Sequence, residues 1–458
     1  MTNMIYERRT EQPENPYSRL APDQTYAIIP EFTFESGHTL RDVPVAYKTW
    51  GVLNAAADNV MLVCHPLTRS VDIEDWWSEL MGECPLTGEG KAIDESRFFI
   101  VCLNVMGSPY GSASPMTMNP ETKTRYGPEF PLATIRDDVR IHKLVLDDLG
   151  VKSIAICIGG SMAGMHVYEW SFYGPEYVKA LVPIAAPGKS SSWSMAWSEA
   201  QRQAIFADPK YLDGCYSLDA PPLQGLTSAR MVAMLTYRTR ASYERRFGRN
   251  VMNTPDNPPS KVEDVTPADY HRAIHNEGNH LHDKSKPASI TRVSTNRTAH
   301  SNPKPQTSTP SSSEPVLPIY ATHSYLRYQA SKFLERFDAN CYIAMGRKMD
   351  AHDISEGREG DYEHVAASIV QPTLIFAIES DVLYPAYEIR ALSDLLPASE
   401  FVLVPSQEGH DGLLLEHRQV NASLVVFMRR QDHIRQILEQ PPVPVPVRNV
   451  KGSLFASW

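Results

Sequence analysis

The stretch Ser153-Ile-Ala-Ile-Cys-Ile-Gly-Gly-Ser161-Met-Ala-Gly164 constrains the fold more than any other. A short apolar run ends in a glycine-rich turn with Ser161 at its tip. Met165, Val167, Tyr168 and Trp170 follow among helix formers. A buried strand that turns sharply into a helix belongs to a layered α/β structure. A strained turn of this kind pushes its serine out over the end of the sheet. The turn needs small neighbours, and Gly159 and Ala163 supply them, although glycine is commoner where Ala163 stands. The same pattern also makes ordinary glycine-rich turns, so the role of Ser161 has to be argued from the rest of the chain.

A serine nucleophile needs a histidine base and a carboxylate that orients the base. In strand–turn–helix hydrolytic sites the chain order is serine, acid, histidine. Thr373-Leu-Ile-Phe-Ala-Ile-Glu-Ser-Asp381 reads as a buried strand ending in an acid. Residues 400–405 read as the next strand, followed by Gly409-His410-Asp411-Gly412. Alone, Asp381 reads as a turn residue and His410 as a solvated loop side chain. Together with Ser161 they stand in the required order, each just past the end of a strand. The candidate triad is therefore Ser161, Asp381 and His410. Glu379 is the rival acid, but it precedes the strand end and is expected to point elsewhere.

The strand rhythm supports a doubly wound α/β core. Continuous apolar runs recur at 59–65, 98–104, 153–159, 179–186, 373–379 and 400–405. Continuous rather than alternating runs suit parallel strands covered on both faces. Residues 134–150 read as a helix capped by Thr134, with Asp137 and Asp138 in its first turn and Gly150 at its end. Ile135, Val139, Leu146 and Leu149 share one of its faces. The expected organisation is core at 1–186, a helical lid at 187–357, and returning core with a proline-rich tail at 358–458. Helical patterns in the lid run over 192–207, 225–248 and 323–337, the last with a stripe of Leu326, Ala330, Phe333 and Phe337. Residues 284–315, rich in Ser, Thr, Pro, Asn and Lys, read as a disordered loop. His271, His275, His280 and His282 cluster just before it, but their spacing fits no standard metal set, and no metal is expected. The run Pro441-Pro-Val-Pro-Val-Pro-Val reads as an extended strap.

Composition narrows the class. The 458 residues carry a formal net charge of −10, which argues against a nucleic-acid binder. Six cysteines form no CxxC pair, and Cys64, Cys102 and Cys157 lie inside apolar runs, as buried thiols in a reducing compartment do. No apolar run is long enough to span a membrane, and the N-terminal residues lack a signal core, so the expected location is cytoplasmic.

The residues resemble the homoserine O-acetyltransferases of the α/β-hydrolase fold, and their fungal branch in particular. That branch includes deacetylcephalosporin C acetyltransferase and serine O-acetyltransferase-like enzymes. The motifs are Cys64-His-Pro-Leu-Thr68, Asp75-Trp-Trp77, Asn104-Val-Met-Gly-Ser-Pro-Tyr-Gly111, Thr134-Ile-Arg-Asp-Asp138 and Gly159-Gly-Ser-Met-Ala-Gly164 in the first half. Ala229-Arg230 with Thr236-Tyr237, Asp338-Ala-Asn-Cys-Tyr342, Ser380-Asp-Val-Leu-Tyr-Pro385 and Gly409-His-Asp411 follow. They cover the chain from Cys64 to Asp411 except the loop at 284–315. No single motif is specific; the set is.

The resemblance implies that Ser161 takes acetyl from acetyl-CoA and passes it to a small hydroxyl-bearing, amino-acid-like acceptor. Acetyl-CoA is then a co-substrate, with no permanently bound cofactor. The backbone N–H groups of Leu67 and Met162 are implied as the oxyanion hole. Thr68, Arg230, Tyr237 and Asp411 are implied in the acceptor pocket, with Arg230 on a carboxylate and Asp411 on an ammonium. Read from the residues alone, Arg230 and Tyr237 share a helix face and suit a surface ion pair and a core tyrosine. A homodimer through the lid follows only by family analogy. Two departures stand out: Pro66 replaces a small residue, and Arg69 replaces the glycine usual in the family. Arg69 could narrow the pocket, contact a CoA phosphate or face solvent. The acceptor implied first is L-homoserine, in methionine biosynthesis. L-serine, a secondary-metabolite alcohol such as deacetylcephalosporin C, and water (an esterase) remain alternatives, as does a non-catalytic binding protein.

Overall fold

The computed structural model describes residues 5–250, 275 and 320–445. Among these, nine strands form one sheet in the order β1-β2-β3-β5-β4-β6-β7-β8-β9. The strands are β1 Glu7–Arg9, β2 Thr25–Thr33, β3 Thr39–Trp50, β4 Val60–Val63, β5 Phe99–Leu103, β6 Ile154–Gly160, β7 Leu181–Ile184, β8 Thr373–Ile378 and β9 Ser399–Val404. From β5 to β9 every pairing is parallel. β4, β6, β7 and β8 are buried along their whole length, which is why their sequences are continuously apolar.

The first three strands pair antiparallel and join the sheet through β3 and β5. No apolar run marks them, because exposed polar residues such as Glu31, Arg41 and Asp42 interrupt them. The fold is the expected mostly parallel, doubly wound α/β sheet.

The helices are α1 Ile73–Trp77, α2 Ile135–Asp148, α3 Met162–Ser171, α4 Ser192–Phe206, α5 Leu223–Tyr237, α6 Arg240–Arg246, α7 Ala321–Leu334 and α8 Ala339–Asp350, with further helices after residue 360. α2 starts in a full capping box: Thr134 accepts the Asp137 N–H, and Asp137 accepts the Thr134 N–H. The helical pattern at 225–248 is not one helix. It breaks at Arg238, whose backbone is extended (φ −117°, ψ 164°) between α5 and α6.

The sheet, α1 to α5, α8 and the C-terminal helices belong to one compact unit, Met1–Arg245 with Arg327–Trp458. Residues 187–245 and 327–357 of the segment expected as a lid thus cluster with the sheet. In this unit Ile205, Leu226, Ala229, Phe333, Phe337 and Tyr342 pack with Tyr110 and Met116 into an apolar core of their own. The second unit is Arg246–Leu326. There Arg249 donates to the Tyr320 hydroxyl at 3.0 Å, and the Ala321 N–H donates to the Asn250 carbonyl at 2.8 Å. His275 is an exposed helical residue. The loop at 284–315, the other three histidines of the cluster and the tail beyond Val445 lie outside the described residues.

The turn after β6 is tightly packed. A Cβ on Gly164 would stand 2.3 Å from the Ala186 Cβ, so α3 sits against the segment after β7 with no room for a methyl. Gly164→Ala is expected to destabilise the protein by about 1–3 kcal/mol through overpacking. A urea-unfolding midpoint equal to that of the parent would contradict this.

Candidate active site

Ser161 sits between β6 and α3 with φ 60° and ψ −130°, a conformation that L-residues rarely adopt. Its N–H donates to the Ile184 carbonyl at 2.9 Å, which ties the turn to β7. A Cβ on Gly159 would lie 2.5 Å from the Ala163 carbonyl oxygen, so only glycine permits this close approach. The apolar run forces β6 into the sheet, and the glycines let the chain reverse so that the serine stands at the strand's C-terminal end.

His410 lies in the short helical turn Gly409–Asp411, which follows β9. Its Nδ1 donates to Asp381 Oδ2 at 2.7 Å, and its Nε2 is 2.8 Å from Ser161 Oγ. A carboxylate can only accept, so Nδ1 carries the hydrogen and Nε2 is left to accept from the serine hydroxyl. Asp381 follows β8, and its other oxygen accepts the N–H groups of Leu383 and Tyr384 at 2.8 and 3.0 Å. All three side chains are buried. The Tyr384 ring stands edge-on to the imidazole, with centroids 5.2 Å apart, and the Tyr237 ring lies tilted to it with centroids 6.3 Å apart. Burial pushes the His410 pKa down, but the Asp381 carboxylate, by charge and hydrogen bond, and Asp411 outweigh it, so the pKa is raised. Glu379 is exposed and takes no part in this arrangement.

The loop after β4 carries Leu67. Its preceding carbonyl, on Pro66, accepts both the His65 Nδ1–H and the Arg69 N–H at 3.0 Å. Met162 opens α3, so its N–H belongs to the first turn, where helix N–H groups have no partner within the helix.

Arg230 and Tyr237 are both on α5, and the guanidinium lies 5.5 Å from the tyrosine ring centroid and 4.7 Å from that of Phe333. Arg230 Nε and Nη1 are buried and have no hydrogen-bond partner among the described residues. Thr68 presents its carbonyl to Arg336 Nη1 at 3.3 Å and to the Tyr110 hydroxyl at 3.4 Å. Asp411 Oδ2 is 3.0 Å from Arg238 Nε, so its carboxylate already faces a cation that sequence reasoning did not single out. Burial raises the Asp411 pKa, while Arg238, His410, Arg230 and Arg69 pull it down. Arg69 is within electrostatic reach of Asp75, Asp411 and Arg230. The residue is half-buried.

Arg238 also ion-pairs with Glu408, as Arg245 does. The break between α5 and α6 thus grips the His410 loop. Nothing local announces the break, since Tyr237-Arg-Thr-Arg240 holds neither glycine nor proline.

Residues 59–416 match the family model described as alpha/beta hydrolase fold. A homoserine O-acetyltransferase of Ascobolus immersus is 47% identical over 93% of this chain and 90% of its own. One from Schizosaccharomyces pombe is 46% identical over 94% of this chain and 90% of its own. Among solved structures, a homoserine O-acetyltransferase from Bacillus anthracis aligns with a TM-score of 0.67 at 21% identity, covering 89% of this chain and 97% of that one. Esterase E22 aligns with a TM-score of 0.65 at 23% identity, covering 91% and 99%. At such identities these two structures speak for the fold alone.

Proposed function

The chain belongs to the homoserine O-acetyltransferase family of the α/β-hydrolase fold, and we propose that it moves acetyl from acetyl-CoA to the hydroxyl of L-homoserine through an acetyl-Ser161 intermediate. The observation that carries the chemistry is the single line of contacts from Asp381 through His410 to Ser161 Oγ. His410 Nε2 takes the Ser161 proton as Oγ attacks the thioester carbonyl. The tetrahedral oxyanion is held by the Leu67 and Met162 N–H groups. As the C–S bond breaks, His410 passes its proton to the CoA sulfur. After CoA leaves, His410 takes the proton of the acceptor hydroxyl, whose oxygen attacks the acetyl-serine. The proton then returns to Ser161 as the O-acetyl product departs. Asp381 keeps the imidazole in the working tautomer throughout.

In the acceptor pocket Arg230 is read as the carboxylate partner, because its two orphaned nitrogens need an acceptor. Tyr237 and Thr68 line the same space, and Asp411 shares its carboxylate between Arg238 and the acceptor's ammonium. A cytoplasmic homodimer is the family-level expectation, checked by light scattering of the purified protein.

The test is purified protein with acetyl-CoA, following free thiol in the presence of L-homoserine, L-serine or deacetylcephalosporin C. Release that requires homoserine is expected. Release only with another alcohol would move the acceptor, and acceptor-independent release would make the protein a hydrolase. Arg230→Ala is expected to raise the KM for homoserine by about 10- to 100-fold, the worth of one charged hydrogen bond, with the acetyl-CoA KM within about twofold. An unchanged homoserine KM would remove Arg230 from the pocket.

A further inference from the structure

Four buried ionisable side chains lie beneath the nucleophile turn and take no part in the proton transfers. They are His65, Asp138, His166 and Lys348, each 1% exposed or less. Their contacts run in one direction. His65 Nδ1–H donates to the Pro66 carbonyl at 3.0 Å, and His65 Nε2 accepts the Val105 N–H at 3.1 Å. The next residue, Met106, donates its N–H to Asp138 Oδ1 at 2.8 Å. The Met106 carbonyl accepts from Lys348 Nζ at 2.6 Å, and Lys348 also ion-pairs with Asp138 Oδ2. His166 Nε2 is 2.9 Å from the same Asp138 oxygen, and its Nδ1 is 2.9 Å from the Met162 carbonyl oxygen.

The two ends of this path are the two segments assigned to the oxyanion hole. The Pro66 carbonyl and the Leu67 N–H belong to one planar trans peptide, so fixing the direction of the carbonyl fixes the N–H. His65 therefore aims the Leu67 N–H without touching substrate. At the other end His166 holds the residue whose own N–H is the second donor. Val105 and Met106 are the hub between them, and Lys348 on α8 is the only one of the four contributed by the helical insertion.

We propose that His65, Asp138, His166 and Lys348 form one buried positioning network that holds the Pro66–Leu67 peptide and the first turn of α3 at Met162 in register as an oxyanion hole. The proposal rests on the assignment of those two N–H groups made above. The four side chains are positioning residues, not catalytic ones. Their electrostatics fit the task. Burial pushes the His65 pKa down to about 3, so the ring stays neutral and keeps one donor and one acceptor. Burial also pushes the Asp138 carboxyl up, but Lys348 and His166 outweigh it and hold it at about 2. The charge of Asp138 thus persists over the working range, and Lys348 is locked to it. A half-satisfied network of this kind would be costly, whereas a completed one is rigid.

The experiment compares His65→Asn, His65→Gln and Lys348→Met with the parent, measuring kcat and KM for acetyl-CoA and acylation by p-nitrophenyl acetate. The asparagine amide nitrogen is one bond from Cγ, as Nδ1 is, and can still donate to the Pro66 carbonyl. The glutamine amide reaches the Nε2 position and leaves that carbonyl with the Arg69 N–H as its one remaining donor. His65→Gln and Lys348→Met are each expected to lower kcat by about 10- to 100-fold, part of what an oxyanion donor is worth, with KM within about twofold. His65→Asn is expected to recover most of the loss. In the combined variant the losses should be less than multiplicative, because both act on one network. Should Lys348→Met not fold, Asp138→Asn with Lys348→Met removes both charges and takes its place. Unchanged kcat in folded variants, equal loss in His65→Asn and His65→Gln, or strictly multiplicative losses would each overturn the proposal. The ester separates the two readings: a parent that accepts acetyl from p-nitrophenyl acetate but not from acetyl-CoA overturns the proposed function, and the ester rates then decide the network.

Discussion

Replacing Ser161 with alanine is expected to lower kcat for acetyl transfer by about 10⁶-fold, the loss that follows when a serine nucleophile is removed from an intact triad. The reason is that His410 and Asp381 act only through the serine oxygen, to which Nε2 is hydrogen-bonded at 2.8 Å. The KM for acetyl-CoA should move little, since the hydroxyl makes its covalent bond only along the reaction path. The acetyl group from labelled acetyl-CoA should no longer remain on the protein after denaturation. Stability gives an independent readout. The backbone at φ 60° is strained for any residue with a Cβ, a cost of about 1–3 kcal/mol. Ser161→Gly is therefore expected to be at least as stable as Ser161→Ala, although both are inactive. Substantial turnover by the alanine variant would show that the attacking oxygen lies elsewhere.

The parallel half of the sheet was legible because β4, β6, β7 and β8 are buried along their whole length and must be apolar throughout. β6 is the clearest case, buried from Ile154 to Gly160. β2 and β3 were not legible, because they lie toward the sheet's antiparallel side and carry charged residues along their length. The convergence of the three candidate side chains was readable for a related reason. Ser161, Asp381 and His410 each follow a strand that the sequence marks, so parallel topology alone brings their ends to one side of the sheet.

The supporting residues were hidden by distance. Asp138 reads as a helix first-turn acid, yet it is fully buried and pairs with Lys348, 210 positions later. No local pattern predicts such a partner. Arg238 was missed because it interrupts a helix without a breaker residue. Its break is stabilised from outside the helix, by Glu408 and Asp411 on either side of His410. In each case the sequence carries the residue, and only tertiary packing carries the reason for it.

Asp381→Asn separates the orienting role of the acid from the nucleophile, and its expected cost is about 10⁴-fold in kcat. In the parent, Asp381 Oδ2 can only accept, so the hydrogen of His410 stays on Nδ1. An asparagine can turn its amide N–H₂ toward Nδ1, which drives the hydrogen to Nε2 and leaves Ser161 with no acceptor. The backbone N–H groups of Leu383 and Tyr384 still have an amide oxygen to meet, so the loop should keep its shape. The pH profile provides the second sign. His410 works as a base only when neutral, so activity falls as pH drops through its pKa. In the parent that pKa is raised, because the Asp381 carboxylate and Asp411 overcome the effect of burial. The acid limb of kcat/KM for acetyl-CoA is therefore expected above the ordinary histidine value of about 6.5. With the Asp381 charge removed, burial gains weight and the limb should move to lower pH. A profile measured from pH 5 to 9 that shows the same limb in both proteins would mean that Asp381 does not set the proton affinity of His410. The 2.7 Å contact would then orient the ring without tuning it.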